Sequence, residues 1–516
     1  MAIGLSQQQR WVAISLLVFR SFFNAQVVRT YFDPDEYWQS LEVAHRLAFG
    51  YGHLTWEWQK GVELRGYTYP VAFSLYYIIL GFFGVDTRWM VAYGPRTLQG
   101  IAAFIGDVFV YRLAKKHYGD LAGKCTLFVQ IFSWFYFYCS VRTYSNSIEM
   151  VFTVVALFYW PSNDHNHNST DNITKALMFA AGAVALRPSS GAFWVYAGLR
   201  HLFFHFHDNR QRFTFIFLQV FPIGLLTVIL TSLIDRVCYG FWTLTIINFF
   251  KINIIEGVSE DYGVHSWHWY FTQGMPSIIG TWSPFFVYGV YRSVVVRRRV
   301  GFLFEFMIWS MLVLSITKHK EFRFAFPLLP IACCYAGLGL ASLISNREKI
   351  SATRFAFYQV SVFVAVISNV LASFYLSFYH QSAPLQVLDF LSADPSLSSV
   401  DFLTPCHSTP FHSHLHRPDV TMRFLDCSPL LEALRNLEGM NFSIVHGIEE
   451  EDMFFKDDFS FVKSRYLKGT ARWPSHFVTK SDVTEELKDF FFENGYKLCA
   501  SFFHTHESKM TVYCLL

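Results

Sequence analysis

The 516-residue sequence predicts a mainly α-helical, polytopic membrane bundle with a small α/β domain at its C-terminal end. Three observations predict it. Hydrophobic residues make up 53% and charged residues only 16%, against about 25% charge in soluble domains. Apolar runs close to the length of a bilayer crossing recur before residue 380, about eleven of them. Beyond that position acidic residues, turn signals and short alternating apolar runs take over.

The candidate crossings are 11–30, 96–114, 122–140, 145–161, 174–187, 189–206, 213–234, 276–292, 301–317, 324–344 and 355–378. The first reads as a retained span, because Arg20 and Asn24 interrupt it and no small-residue cleavage pattern follows. Stretch 71–85 is short for a crossing and reads as re-entrant or interfacial. Lys115, Lys116, Lys124, Arg210, Arg212, Arg297–Arg299, Arg347, Lys349 and Arg354 then share one side, which the positive-inside rule makes cytosolic. Arg187-Pro188 divides 174–206 into two crossings; a single one would put Arg297–Arg299 outside. The N-terminus is then cytosolic. Loops 31–95 and 235–275, the cluster 318–323 and everything after 379 are luminal.

This gives a transmembrane domain, 1–379, and a luminal α/β domain, 380–516. The latter shows strand-like runs at Phe442–Val445, Phe477–Thr479 and Thr511–Leu515, a helical stretch at Pro429–Leu437 and a turn at Asn494-Gly495. Cys406, Cys427, Cys499 and Cys514 allow two disulfides in an oxidising lumen, with three pairings open. The luminal sequon at Asn441 is a candidate glycosylation site, whereas Asn168 and Asn172 fall in a cytosolic loop.

Some function classes drop out. A net charge of +3 without a basic, aromatic-laced block speaks against nucleic acid. No phosphate-cradling Gly-rich loop, nucleophile elbow or HExxH motif occurs. Cys406-His407 with His412, His414 and His416 fits no standard zinc spacing, so no metal and no cofactor are assigned.

The dense polar groups lie in the luminal segments. In Asp33-Pro34-Asp35-Glu36, Asp33 suits an N-cap, Pro34 the first helical position and Glu36 a capping box. Asp35 has no such local use, which leaves its carboxylate for chemistry. Trp56, Glu57 and Arg65 form a second group. His265, Trp267 and His268 form a third, suited to a sugar or lipid headgroup and equally to an interfacial helix. In the fourth, Lys318, His319, Lys320 and Arg323 break the positive-inside pattern and suit a phosphate at the membrane surface. A carboxylate, a phosphate site and aromatic platforms together fit attack by an acceptor hydroxyl on a lipid-phosphate-linked sugar, with Asp35 as general base.

Pro34-Asp35-Glu36, Leu54-Thr55-Trp56-Glu57-Trp58, Leu186-Arg187-Pro188 and His319-Lys320-Glu321-Phe322-Arg323 resemble the endoplasmic-reticulum α-mannosyltransferases that use dolichyl-phosphate mannose. The resemblance spans nearly the whole chain and implies the GT-C fold. Within that family, the stretches 35–42, 265–271 and 405–410 are similar to the GPI mannosyltransferase III (PIG-B) type. That type adds the third, α1,2-linked mannose to the GPI-anchor precursor. The resemblance places the family's acidic pair on Asp35 and Glu36, and substrate contacts on Trp56, Glu57, Arg65, Arg187, His265, Trp267 and His268. Gly66 stands where the same loop pairs its arginine with a serine. The donor would be a lipid-linked substrate and the acceptor a GPI glycolipid. Residue chemistry does not distinguish a sister transferase adding the fourth GPI mannose or acting on the lipid-linked N-glycan precursor. A transporter or lipid-binding scaffold remains as another class, though few ionisable residues (Arg20, Asp107, Arg187) sit within the apolar runs.

Overall fold

The computed structural model describes all residues except 1–6, 162–171, 207, 256–257, 259–262, 297–299, 429–449, 468–470 and 481–482. Asn441, the expected helix at 429–437 and the expected strand at 442–445 lie outside the described residues, as do Asn168 and Arg297–Arg299. The chain divides into two compact units. The first is Met1–Gln26, Gly66–Thr68 and Arg96–Phe374; the second is Val27–Arg65, Tyr69–Pro95 and Tyr375–Leu516.

Among the described residues, four helices are long and apolar enough to cross a membrane: Arg88–Tyr118, Asn209–Tyr239, Phe322–Ser345 and Ala352–Ala393. Shorter apolar helices are Thr68–Phe82, Ser145–Tyr159, Ile173–Leu186 and Phe302–Ile316. Two expected crossings are interrupted. Stretch 122–140 is two helices, Asp120–Ile131 and Trp134–Cys139, the second capped by Ser133, which accepts from the Tyr136 N–H. Stretch 276–292 breaks at Gly280, whose φ of 60° is left-handed and suits glycine.

Composition alone does not tell a buried helix from a lipid-facing one. Phe322–Ser345 is 89% buried over its most apolar window, whereas Asn209–Tyr239 is only 6% buried yet more hydropathic. The second exposes Leu218, Phe221, Leu226 and Leu230, a surface suited to the hydrocarbon of a bilayer. The buried helix carries Gly337 and Gly339, and a Cβ on either would collide with backbone of a neighbouring helix, at Thr126 and at Phe285. Small residues at a helix contact let backbones approach closely.

The first crossing is not uniform. Gln7–Val18 is α-helical, Phe19–Asn24 widens into a π-turn and Ala25–Val27 resumes the α-helix. The widened turn carries Arg20 and Asn24, both fully buried. Arg20 Nε donates to Asp107 Oδ2 at 2.7 Å and Nη1 to Asn24 Oδ1 at 2.9 Å, while Gln130 Nε2 donates to Asp107 Oδ1 at 2.7 Å. Arg20 also lies over the Tyr136 ring at 4.8 Å. A charge in an apolar bundle is tolerated when paired and hydrogen-bonded in this way.

Among the described residues, the second unit holds a five-stranded sheet: β1 Ser399–Leu403, β2 Thr421–Phe424, β3 His476–Lys480, β4 Tyr496–Thr505 and β5 Ser508–Leu515, in the order β2-β1-β3-β5-β4. β1 pairs in parallel with β2 and β3, and β5 runs antiparallel to β3 and β4. The runs at 477–479 and 511–515 lie in strands, and the structure adds β1, β2 and β4, of which β1 and β2 alternate polar and apolar residues over only four positions. Asn494-Gly495 makes its turn, with Gly495 at φ 84°. Phe477, Leu487, Phe491 and Tyr513 are among the residues of the domain core. Of the three possible pairings the structure has Cys406–Cys427 and Cys499–Cys514.

Candidate active site

In the second unit, the chain enters the acidic segment in extended form and turns into a helix at Asp35. Asp33 Oδ1 accepts the Asp35 backbone N–H at 2.9 Å, and Pro34 C=O accepts from the Tyr37 and Trp38 N–H groups at 2.9 Å. The cap therefore uses Asp33, in the geometry its side chain favours. Glu36 is fully buried and Asp35 is half-buried. Local capping leaves Asp35 as the more accessible carboxylate of the pair.

Glu57 lies in a 3₁₀ turn, Trp56–Trp58, with Trp56 buried. Arg65 donates Nε and Nη2 to Glu57 Oε1 at 2.9 and 2.7 Å, and Gln39 Nε2 donates to the same oxygen at 3.4 Å. Burial raises the Glu57 carboxyl above its ordinary range and Asp35 adds to that rise, against the pull of Arg65. Glu57 and Asp35 thus share an electrostatic neighbourhood, and the Arg65 guanidinium offsets their mutual repulsion.

Further along the same helix, buried Glu42 accepts from the Phe411 N–H at 2.7 Å and from the Ser413 hydroxyl at 2.6 Å. Burial nevertheless pushes its carboxyl up to about 7. His45 donates Nδ1–H to the Tyr51 carbonyl at 3.2 Å, and its Nε2 lies 2.9 Å from His416 Nδ1. Burial first, then the His416 charge, lowers His45 to about 3. A folded-state pKa below the unfolded value means that stability is fully present above pH 6.5 and is lost as pH falls toward 3. The melting temperature of the native chain is therefore expected to fall more steeply over that window than that of His45→Gln. Parallel melting curves across the two proteins would remove His45 as the cause.

The cationic segment lies in the first unit and is ordered by a residue that composition did not single out. Glu321 Oε1 lies 2.7 Å from His319 Nε2, and Glu321 accepts Arg323 Nε and Nη2 at 2.5 and 2.9 Å. His319 Nδ1 faces the Gly263 carbonyl at 2.9 Å. Both ring nitrogens meet acceptors, so both donate, which is the imidazolium form. Burial opposes that charge, but the bond to Glu321 wins and raises His319; Arg323 and His319 together overcome burial to hold Glu321 well below the usual carboxylate range. Lys320 is buried, its ammonium donating to the Thr317 carbonyl and, at 3.1 Å, to that of His265. Lys318 is exposed. His319 and Arg323 thus meet the Glu321 carboxylate while Lys320 is held on backbone carbonyls and Lys318 stands exposed, so the segment as a whole carries net positive charge.

Arg187 belongs with this group. It ends helix Ile173–Leu186, and its guanidinium is 3.3 Å from Glu149 Oε2 and lies over the Phe324 ring at 5.3 Å. Arg323 covers the same ring at 5.2 Å. The structure thus brings together two arginines 136 residues apart in sequence. His265, Trp267 and His268 are exposed, with His265 stacked on buried Trp269 at 4.8 Å. Tyr270, also buried, exchanges hydrogen bonds with the Glu321 backbone. Glu321, Glu149, Tyr270 and Phe324 escape a search for unpaired charge or exposed aromatics because they act as supports. The alternation 319/321 in extended chain was the one available signal for Glu321.

The sequence profile of the Alg9-like mannosyltransferase family matches residues 11–416. The GPI alpha-1,2-mannosyltransferase 3 of Bos taurus is 37% identical over 94% of this chain and 84% of its own length. Mannosyltransferase APTG1 of Arabidopsis thaliana is 35% identical over 96% and 89%. Among solved structures, ArnT from Cupriavidus metallidurans bound to undecaprenyl phosphate superposes with a TM-score of 0.54 at 11% identity, over 99% of this chain and 98% of that one. The architecture is therefore GT-C, and the chain belongs to the Alg9-like mannosyltransferase family of membrane glycosyltransferases.

Proposed function

We propose that the chain transfers mannose from dolichyl-phosphate mannose, in α1,2 linkage, to the second mannose of the GPI-anchor precursor. The reaction takes place on the luminal face of the endoplasmic reticulum membrane. The observation that carries this reading is the 35–37% identity, over 94–98% of the chain, to proteins named GPI alpha-1,2-mannosyltransferase 3. The local chemistry supports it. Asp35 takes the proton of the acceptor hydroxyl, whose oxygen attacks the anomeric carbon with inversion. The bond from that carbon to the phosphate oxygen breaks, and the phosphate leaves with the electron pair. Lys318, His319, Lys320 and Arg323 stabilise that charge, with Arg323 and His319 pre-oriented by Glu321. Glu36 is the second carboxylate of the catalytic pair beside Asp35, and Trp56, Glu57, Arg65, Arg187, His265, Trp267 and His268 complete the assignment as substrate-binding residues. Phosphate is a good leaving group, so the step needs no second carboxylic acid.

The test uses microsomes lacking the third GPI mannosyl transfer and re-expressing this chain. Labelled mannose from dolichyl-phosphate mannose is expected on a GPI precursor bearing two mannoses. Failure of a well-expressed chain to label that precursor, with labelling of a three-mannose GPI or an N-glycan precursor instead, would reassign the acceptor.

A further inference from the structure

The helix that begins at Asp35 presents Trp38, Glu42, His45 and Phe49 at spacings of four, three and four residues, which is one face. All four meet a single segment of the C-terminal part, in matching order. Trp38 Nε1 donates to the Thr409 carbonyl at 3.0 Å and its ring lies 4.7 Å from His407. Glu42 takes the Phe411 and Ser413 donors, and His45 and Phe49 both pack on His416, at 5.2 and 4.7 Å. The Tyr31 hydroxyl, just before the acidic loop, donates to the His407 carbonyl. The segment itself is held: Cys406 is tied to Cys427, and its N–H donates to Glu451 Oε2 at 2.9 Å. His407 and His416 adopt left-handed backbone at φ 56° and 50°, a conformation that persists only where its surroundings enforce it.

Glu42 is the one charged member of the stripe and the only one taking several hydrogen bonds from the segment. Its two oxygens collect the Ser413 N–H at 3.1 and 3.2 Å besides the Phe411 N–H and the Ser413 hydroxyl. These bonds fix the helix against both translation and rotation, two turns below Asp35. We propose that Glu42 is a positioning residue, and that through it the segment 406–416 sets the placement of the Asp35 carboxylate. The inference rests on Asp35 being the general base. It gives the C-terminal part a task in the reaction itself, since an ångström-scale displacement of a base costs up to about a hundredfold in rate.

The experiment compares kcat per folded molecule and donor KM for detergent-purified native chain, Glu42→Ala, Glu42→Gln, Ser413→Ala and Asp35→Asn. For Glu42→Ala, kcat is expected to fall about tenfold or more with donor KM within about twofold. Glu42→Gln, which keeps an acceptor oxygen, is expected to recover most of that loss. A Glu42→Ala enzyme with native kcat per folded molecule, or one altered only in KM, overturns the proposal. If Glu42→Ala does not yield folded protein, Ser413→Ala decides: a several-fold loss of kcat supports positioning and native kcat refutes it. An active Asp35→Asn enzyme overturns the base assignment and the proposal with it. Inactive Asp35→Asn beside fully active Glu42→Ala overturns positioning alone.

Discussion

Asp35→Asn is expected to lower mannosyl transfer by about 10²–10⁴-fold, the usual contribution of a positioned general base. The substitution is nearly isosteric. It leaves the Asp35 backbone N–H on Asp33 Oδ1, so the helix start is retained and the loss is one of chemistry rather than folding. Asp33→Asn is the matched control: asparagine caps as well as aspartate, and activity is expected to stay near native. The measurement is mannose incorporation per unit of chain in microsomes, with expression followed by immunoblot. Activity surviving in Asp35→Asn would move the base to Glu36 or Glu57. Loss in both variants would mean that the segment needs its charge for its shape. Because Glu57 and Asp35 sense one another, Asp35→Asn also removes a repulsion from Glu57 and is expected to lower the Glu57 pKa.

The largest effect on stability is expected at Asp107. Arg20 and Asp107 are both fully buried in the first unit and satisfy one another with the help of Asn24 and Gln130. Asp107→Leu leaves the guanidinium buried without its counter-charge, which costs about 3–5 kcal/mol. Replacing both partners with apolar residues is far milder, because a desolvated pair returns little more than it spends. Asp107→Leu is therefore expected to unfold early in a thermal ramp of the detergent-purified chain, and Arg20→Met/Asp107→Leu to regain most of the loss. Equal losses in the single and double variants would show that the site depends on something other than its charge pair.

The sequence by itself determined the membrane class, the positions of most helices and the existence of the C-terminal α/β part. Hydropathy and turn chemistry are local properties, and a bilayer-length apolar run carries its meaning without reference to its neighbours. The cap at Asp33 was legible for the same reason: an N-cap is decided within three residues. The density of charge at 318–323 was equally plain. Its organisation was not, because Glu321 reads in sequence as a dilution of the positive charge, whereas in the structure it aligns His319 and Arg323.

Tertiary structure alone decided what lay far apart in the chain. Arg187 joins Arg323 through the Phe324 ring, and Glu42 finds Phe411 and Ser413 some 370 residues away. It also chose one disulfide pairing of three, and separated the buried helix Phe322–Ser345 from the exposed apolar helix Asn209–Tyr239. The physical reason is common to all of these. Side-chain type fixes what a group requires, a donor, a counter-charge or a dry neighbour, while many places in a long chain can meet that requirement. Only the packed arrangement selects which one does.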